Sequence, residues 1–316
     1  MSTQTRERIA VVGAGLIGRA WAMVFARAGH PVALHDADPE ALQRSLATLD
    51  QGLVDLRAAG LLAESPVTVR LRIAPAPSLA AALDGAGYVQ ENIVENLDAK
   101  KALYTELDRL AAADAILASS TSAIRTSLWS EHLAGRARCI VAHPVNPPHL
   151  VPLVELCGAP WTAPAAIERA RDIYRGIGQV PVTVNKEING FVLNRLQGAL
   201  LAEAFRLHAD GYASAEDIDK TVRDGLGLRW SFMGPFETID LNAPGGVADY
   251  CARYGDVYYR MAQQQTPRRW DAALVRRVEA ERRTLLPAAD LPARGAWRDR
   301  RLMQLIAHKR DAANKD

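Results

Sequence analysis

The sequence predicts an α/β protein: a doubly wound, mainly parallel sheet followed by an all-helical C-terminal part. Three observations carry that expectation. Residues 9–12 form a continuous apolar, mostly β-branched run, as a strand buried on both faces of a parallel sheet should. Gly13, Gly15 and Gly18 follow it and open a stretch with helical apolar spacing. Beyond Gly190 no further strand is readable.

Taken in order, Ile9 to Val12 leads into Gly13-x-Gly15-x-x-Gly18, after which Ile17, Ala20, Trp21, Val24, Phe25 and Ala28 recur as on one helix face. Strand, turn and helix in that order read as a Rossmann-type dinucleotide cradle. Gly13 permits the tight turn, Gly15 lets the backbone approach a pyrophosphate, and Gly18 lets helix and strand pack closely. The helix start at Leu16 and Ile17 offers unpaired N–H groups to the anion. A second strand, 31–35, ends at Asp36, which lies 18 positions after Gly18. A carboxylate there accepts from the adenosine ribose and repels a 2′-phosphate, so NAD is expected rather than NADP.

Residues 39–62 have a helical pattern, with Asp38 as cap and Pro39 in the first turn. Further strands are expected at 67–73, 88–91, 115–119, 139–143, 151–156 and 180–184, with helices at 97–112 and 163–177 between them. The pattern changes at Lys186 to Gly190, where helical periods take over at 191–210 and 215–226. The expected division is therefore an NAD-binding domain over 1–187 and a helical substrate and dimerisation domain over 188–316. The charged stretch 298–316 reads as a solvated terminal helix with a frayed tail.

Composition narrows the partners. The 316 residues are 49% hydrophobic and 23% charged, ordinary for a globular chain. With 38 basic and 36 acidic residues the net charge is +2, so no bulk field draws in nucleic acid or an anionic membrane. Cys139, Cys157 and Cys251 form no CxxC or paired pattern, which points away from a disulfide framework or zinc site and towards a reducing cytosol. No metal is expected. Residues 1–8 are polar and too short for a signal peptide, and no apolar run approaches the roughly 18 residues that span a bilayer. A soluble, cytoplasmic protein is expected.

In an open parallel sheet, ligands bind beyond the carboxyl ends of the strands. Four polar positions stand there: Ser122 in the cluster 119–122, His143, Glu155, and Asn194 just after Gly190. Taken alone, a Ser/Thr cluster after a strand is also a helix cap, and a strand-end histidine is also an ordinary hydrogen-bonded residue. Glu155, flanked by Leu153, Val154 and Leu156, needs a partner, because a buried carboxylate must be paired or lose its charge. If that partner is His143, the imidazole is held in one tautomer and suits a general base near neutral pH.

Six motifs then occur in order: Val89-Gln-Glu-Asn-Ile-Val-Glu95-Asn-Leu-Asp-Ala-Lys100, Ser119-Ser-Thr-Ser122, Ala142-His143-Pro-Val-Asn146-Pro, Leu153-Val-Glu155-Leu, Gly190-Phe-Val-Leu-Asn194-Arg and Met233-Gly-Pro-Phe-Glu237. Together they resemble the 3-hydroxyacyl-CoA dehydrogenase superfamily over nearly the whole chain. The stretches 143–148 and 225–238 resemble its lambda-crystallin branch, which includes L-gulonate 3-dehydrogenase; carnitine dehydrogenases are near relatives. The resemblance implies that His143 is a base oriented by Glu155, that Ser122 and Asn194 bind the reacting oxygen, and that Glu95 and Lys100 lie near the nicotinamide-side ribose and substrate. On sequence alone, those last two are equally readable as surface residues.

Departures from the acyl-CoA pattern bear on substrate. Pro144-Val-Asn-Pro-Pro148 replaces an aromatic-rich segment, and Leu228-Arg229-Trp230-Ser231-Phe232 replaces a Gly-Tyr-Pro run. Arg229 is a candidate clamp for a free carboxylate, which a thioester lacks; the plain alternative is a salt-bridge residue. Ser120 stands where the family has asparagine, leaving the hydrogen bonding near Ser122 open. The expected activity is NAD-dependent oxidation at C3 of a small polar 3-hydroxy acid, with L-gulonate the best single substrate. The alternatives are a short-chain 3-hydroxyacyl-CoA dehydrogenase, a carnitine 3-dehydrogenase, or a non-enzymatic crystallin-like NAD-binding protein. The apolar helices of the second half, and the resemblance, imply a homodimer through that half.

Overall fold

The computed structural model describes residues 6–313. The N-terminal residues 1–5, part of the segment read against a signal peptide, and the tail end 314–316 lie outside the described residues. Two compact units emerge: Met1–Asn194 together with Ala296–Asp316, and Arg195–Gly295.

The first unit holds eight strands: β1 Arg8–Val12, β2 Val32–His35, β3 Ile73–Pro75, β4 Ala86–Glu91, β5 Ile116–Ser119, β6 Cys139–Pro144, β7 Leu153–Gly158 and β8 Val180–Val184. They form one sheet in the order β3-β2-β1-β4-β5-β6-β7-β8. All neighbours are parallel except β6 and β7, which run antiparallel. Between β1 and β4 the winding reverses. This is the switch point where a dinucleotide binds in such sheets.

Seven helices flank the strands: α1 Leu16–Arg27, α2 Pro39–Ala58, α3 Pro66–Arg70, α4 Leu79–Leu83, α5 Leu97–Leu110, α6 Thr126–Ser130 and α7 Pro164–Gly176. On one side of the sheet Trp21, Phe25, Leu49, Leu53, Tyr88 and Tyr174 form the larger apolar core. Tyr104, Leu107, Trp129 and Phe191 belong to a second core cluster. Asp38 caps α2 as expected, accepting from Glu40 N at 2.9 Å.

One expected strand is corrected. The apolar, β-branched pattern predicts a strand over 67–73, but 66–70 are the helix α3, and β3 begins only at Ile73. Ser65 Oγ accepts from Thr68 N at 3.0 Å and Pro66 sits in the first turn, so a capped helix start overrides the β-branched run Val67-Thr68-Val69. The short helices α4 and α6 were not anticipated.

α8, Leu193–Ala209, carries the chain from the first unit into the second. There follow α9 Ala215–Lys220, a π-helical turn Thr221–Leu226, α10 Gly227–Trp230, α11 Pro235–Asp240, α12 Gly246–Gln264, α13 Ala272–Leu285 and α14 Leu291–Ala313. The chain after 190 contains no strand among the described residues, and no described helix is long and apolar enough to cross a membrane.

The described part of the charged stretch, 298–313, is more than a solvated terminal helix. It groups with the first unit, so the helical second unit ends at Gly295, short of the expected 188–316. Met303 is buried in the larger core, Leu302 and Ile306 pack against it, and Arg310 donates to the Gly60 carbonyl at 2.8 Å. Its many arginines mask an apolar stripe at 302, 303 and 306, which has the spacing of one helix face.

Candidate active site

The glycine turn supplies the geometry for a pyrophosphate. Gly13 has a positive φ of 88°, and a Cβ there would lie 2.7 Å from the Asn92 carbonyl oxygen. A Cβ on Gly18 would lie 1.8 Å from the Gly13 oxygen, so no larger residue fits between turn and helix. Gly15 faces open space, and α1 starts after it without a side-chain cap or an acidic residue in its first turn. The N–H groups of Leu16 and Ile17 therefore lie where an anion is favoured. Asp36 Oδ2 accepts from Ala14 N at 2.7 Å and Oδ1 from Asp38 N at 3.0 Å, so the acid also closes the loop beside the turn. These residues fit the diphosphate and ribose of NAD.

The antiparallel pairing of β6 and β7 sets His143 directly opposite Glu155. Glu155 Oε2 accepts from His143 Nδ1 at 2.8 Å. The other oxygen accepts from Val192 N at 2.8 Å and Leu193 N at 2.9 Å at the start of α8. Glu155 is 1% exposed and His143 6%. Burial raises the cost of the Glu155 charge, but the bonds from His143, Leu193 and Val192 outweigh it and hold the carboxyl below its ordinary pKa. With Nδ1–H given to the carboxylate, His143 presents Nε2 as a proton acceptor.

The same helix start reaches the serine cluster. Gly190 and Phe191 both have positive φ, 77° and 49°, and the chain turns there into α8. Asn194 Nδ2 donates to the Ser122 carbonyl at 2.8 Å. Glu95 Oε1 accepts from Thr121 Oγ1 at 2.5 Å, Ser122 N at 2.9 Å and Ala123 N at 3.0 Å, which fixes the loop carrying the exposed Ser122 hydroxyl. The first turn of α8 thus links Glu155, Asn194 and Ser122, and through Glu155 it reaches His143.

Lys100 sits behind this loop. It is 1% exposed, and its ammonium bonds Glu91 Oε1 at 2.8 Å and Oε2 at 3.0 Å, with Glu95 Oε2 at 3.8 Å. Glu91 was missed by the sequence reasoning; a lone acid ending an apolar strand, nine residues before a lysine, was the available signal. Arg229 belongs to the second unit, in α10, exposed and with no ion-pair partner among the described residues. Burial pushes the Cys139 and Cys157 thiols up to about 12, so both stay protonated and unreactive. Among the described residues no group of three or more His, Cys, Asp or Glu is placed to hold a metal.

Residues 8–188 match the family model for the 3-hydroxyacyl-CoA dehydrogenase NAD binding domain, and residues 190–283 match that of the 3-hydroxyacyl-CoA dehydrogenase C-terminal domain. The chain belongs to the 3-hydroxyacyl-CoA dehydrogenase family. This dehydrogenase is 43% identical over 309 residues to the lambda-crystallin homolog of Bos taurus, covering 95% of each chain. It is 38% identical over 250 residues to an L-carnitine dehydrogenase of Streptomyces griseus, covering 79% of this chain and 74% of that one. Among solved structures, an NAD+-dependent 5-formyl-3-hydroxy-2-methylpyridine 4-carboxylic acid 5-dehydrogenase superposes with a TM-score of 0.81 at 29% identity, covering 94% of this chain and 96% of that one. The dehydrogenase uses NAD and acts on a CH–OH group, as its family does.

Proposed function

We propose that this enzyme oxidises the C3 secondary alcohol of a small polar 3-hydroxy acid, with L-gulonate the best single substrate, giving 3-dehydro-L-gulonate. The observation that carries the reading is the His143–Glu155 pair, buried, set opposite in the sheet and anchored to a helix start. His143 Nε2 takes the hydroxyl proton of C3 as the C3–H bond breaks, and the C3–O bond becomes a carbonyl. Ser122 Oγ and Asn194 hold that oxygen. When bound, NAD supplies the acceptor for the hydride. Glu155 stays ionised, keeps the imidazole in the Nδ1–H tautomer and stabilises the imidazolium that forms. A binding protein that does no chemistry has no use for such a pair, which argues against the crystallin-like alternative.

The free acid is favoured over the thioester by Arg229. An exposed guanidinium without a carboxylate partner among the described residues is available to a ligand's carboxylate. The resemblance to an L-carnitine dehydrogenase points the same way, since carnitine carries a free carboxylate beside its 3-hydroxyl. Arg229→Met is expected to raise KM for the hydroxy acid about tenfold or more, with KM for NAD changed less than about threefold. Steady-state kinetics with each substrate varied in turn check this, and unchanged KM for the acid rejects the clamp.

The setting we infer is cytoplasmic, and the form a homodimer through the helical unit. The 19-residue helix α12 has no buried residue, and Tyr254, Val257, Tyr258 and Met261 stand exposed along it. An apolar face of that length is the kind that pairs with its own copy. Light scattering on the eluting protein is expected to give twice 34.3 kDa. A monomeric mass overturns this assembly.

A further inference from the structure

The segment 119–122 is tied residue by residue to the segment 90–95. Ser119 Oγ donates to Glu91 Oε2 at 2.6 Å, while Thr121 and Ser122 bond Glu95. Ser120 has its own set of partners. Its Oγ accepts from Trp21 Nε1 at 3.1 Å and from Gln90 Nε2 at 2.7 Å, and donates to Asn92 Oδ1 at 2.7 Å. One proton and two lone pairs are thereby all used, so the hydroxyl has a single orientation.

These bonds form the middle of a longer chain in which every proton points the same way. Tyr88 OH donates to Tyr174 OH at 2.8 Å, and Tyr174 OH donates to Gln90 Oε1. Gln90 donates to Ser120 and Ser120 to Asn92, whose Nδ2 donates to the Val12 carbonyl at 3.3 Å and to the Gln90 carbonyl at 2.8 Å. Asn92 N also donates to the Val12 carbonyl, at 2.7 Å. Val12 is the last residue of β1, and the Asn92 carbonyl lies against Gly13 where a Cβ would be. Aligned donors polarise one another, and in a buried site a gap leaves N–H groups without acceptors. Trp21 and Gln90 are both fully buried.

We propose that Ser120 is a positioning residue for NAD: its hydroxyl sets the Asn92 amide, and Asn92 holds the end of β1 and the Gly13 turn in the shape that receives the pyrophosphate. The inference rests on the glycine turn being the diphosphate site. It also resolves what the missing family asparagine leaves open, because the side-chain amide beside Ser120 comes from Asn92, at the end of the neighbouring strand. The catalytic loop is affected little, since Glu95 and Asn194 hold Thr121 and Ser122 independently of Ser120.

The test is isothermal titration of NAD into Ser120→Ala, Asn92→Ala and the double variant, with melting temperatures and steady-state kinetics on the same preparations. Each single variant is expected to weaken NAD binding about tenfold, with kcat at saturating NAD within about threefold. The double variant is expected to bind no more weakly than the worse single one, because both changes break one path. A lowered melting temperature with unchanged NAD affinity overturns the proposal, as does a multiplicative loss in the double variant. Gly13→Ala separates the two readings. If it binds NAD as the wild type does, the glycine turn is not the diphosphate site and the underlying assignment fails; if it loses NAD while Ser120→Ala binds normally, only the role of Ser120 fails.

Discussion

Replacing His143 by alanine is expected to lower kcat by between about 100-fold and 10,000-fold while leaving NAD affinity unchanged. The sheet sets the imidazole opposite a buried carboxylate, and its Nδ1–H is already committed to Glu155. Ser122 and Asn194 donate or accept hydrogen bonds but are poor bases, and Lys100 is paired with Glu91. The glycine turn and Asp36, where we expect the diphosphate and ribose of NAD, make no described hydrogen bond to His143. Single-turnover kinetics with a titration of NAD distinguish the two effects. Near-normal turnover in His143→Ala removes it from the role of base.

Glu155→Gln is expected to be nearly as damaging, for a different reason. The glutamine oxygen still accepts from Val192 N and Leu193 N, so the start of α8 keeps its anchor. Its amide nitrogen then faces His143 Nδ1 and donates to it, which turns the imidazole into the Nε2–H tautomer. That tautomer has no lone pair for the substrate proton. We expect kcat to fall about 100-fold or more with the fold intact. A second readout is the pH dependence of stability. The Glu155 carboxyl is held below its ordinary pKa, so its ionised form stabilises the native state above the unfolded-state value, and that contribution is lost as pH falls through the folded-state value. Glu155→Gln should therefore lose less melting temperature on acidification than the wild type. Turnover within about threefold of the wild type would falsify the orienting role.

The parts of this site legible in the sequence are those whose constraint is local. Gly13 and Gly18 are demanded by one turn, Asp36 by its distance along one βαβ unit, and Glu155 by the apolar residues on either side of it. What no single segment shows is which partners the sheet brings together. Glu155 announces that it needs a partner, but only the antiparallel register of β6 and β7 makes that partner His143. Ser120 looks like a loss relative to the family until Asn92, on the adjoining strand end, is seen to supply the amide. Lys100 is equally readable from sequence as a surface residue because its partner Glu91 lies nine positions earlier, and α5 must fold back to bury the pair. Residues 66–70 mislead because β-branched side chains favour strands on average, while a serine cap and a proline decide this short piece locally. Among 298–316, charge hides the three apolar residues that dock the terminal helix on the core.

The central claim is that the buried histidine base serves a free 3-hydroxy acid. Initial rates with NAD across L-gulonate, carnitine, 3-hydroxybutyrate and 3-hydroxybutyryl-CoA test it most directly. L-gulonate should show the highest kcat/KM of the four, whereas a highest kcat/KM for 3-hydroxybutyryl-CoA would contradict the claim and return the enzyme to the acyl-CoA branch of its family.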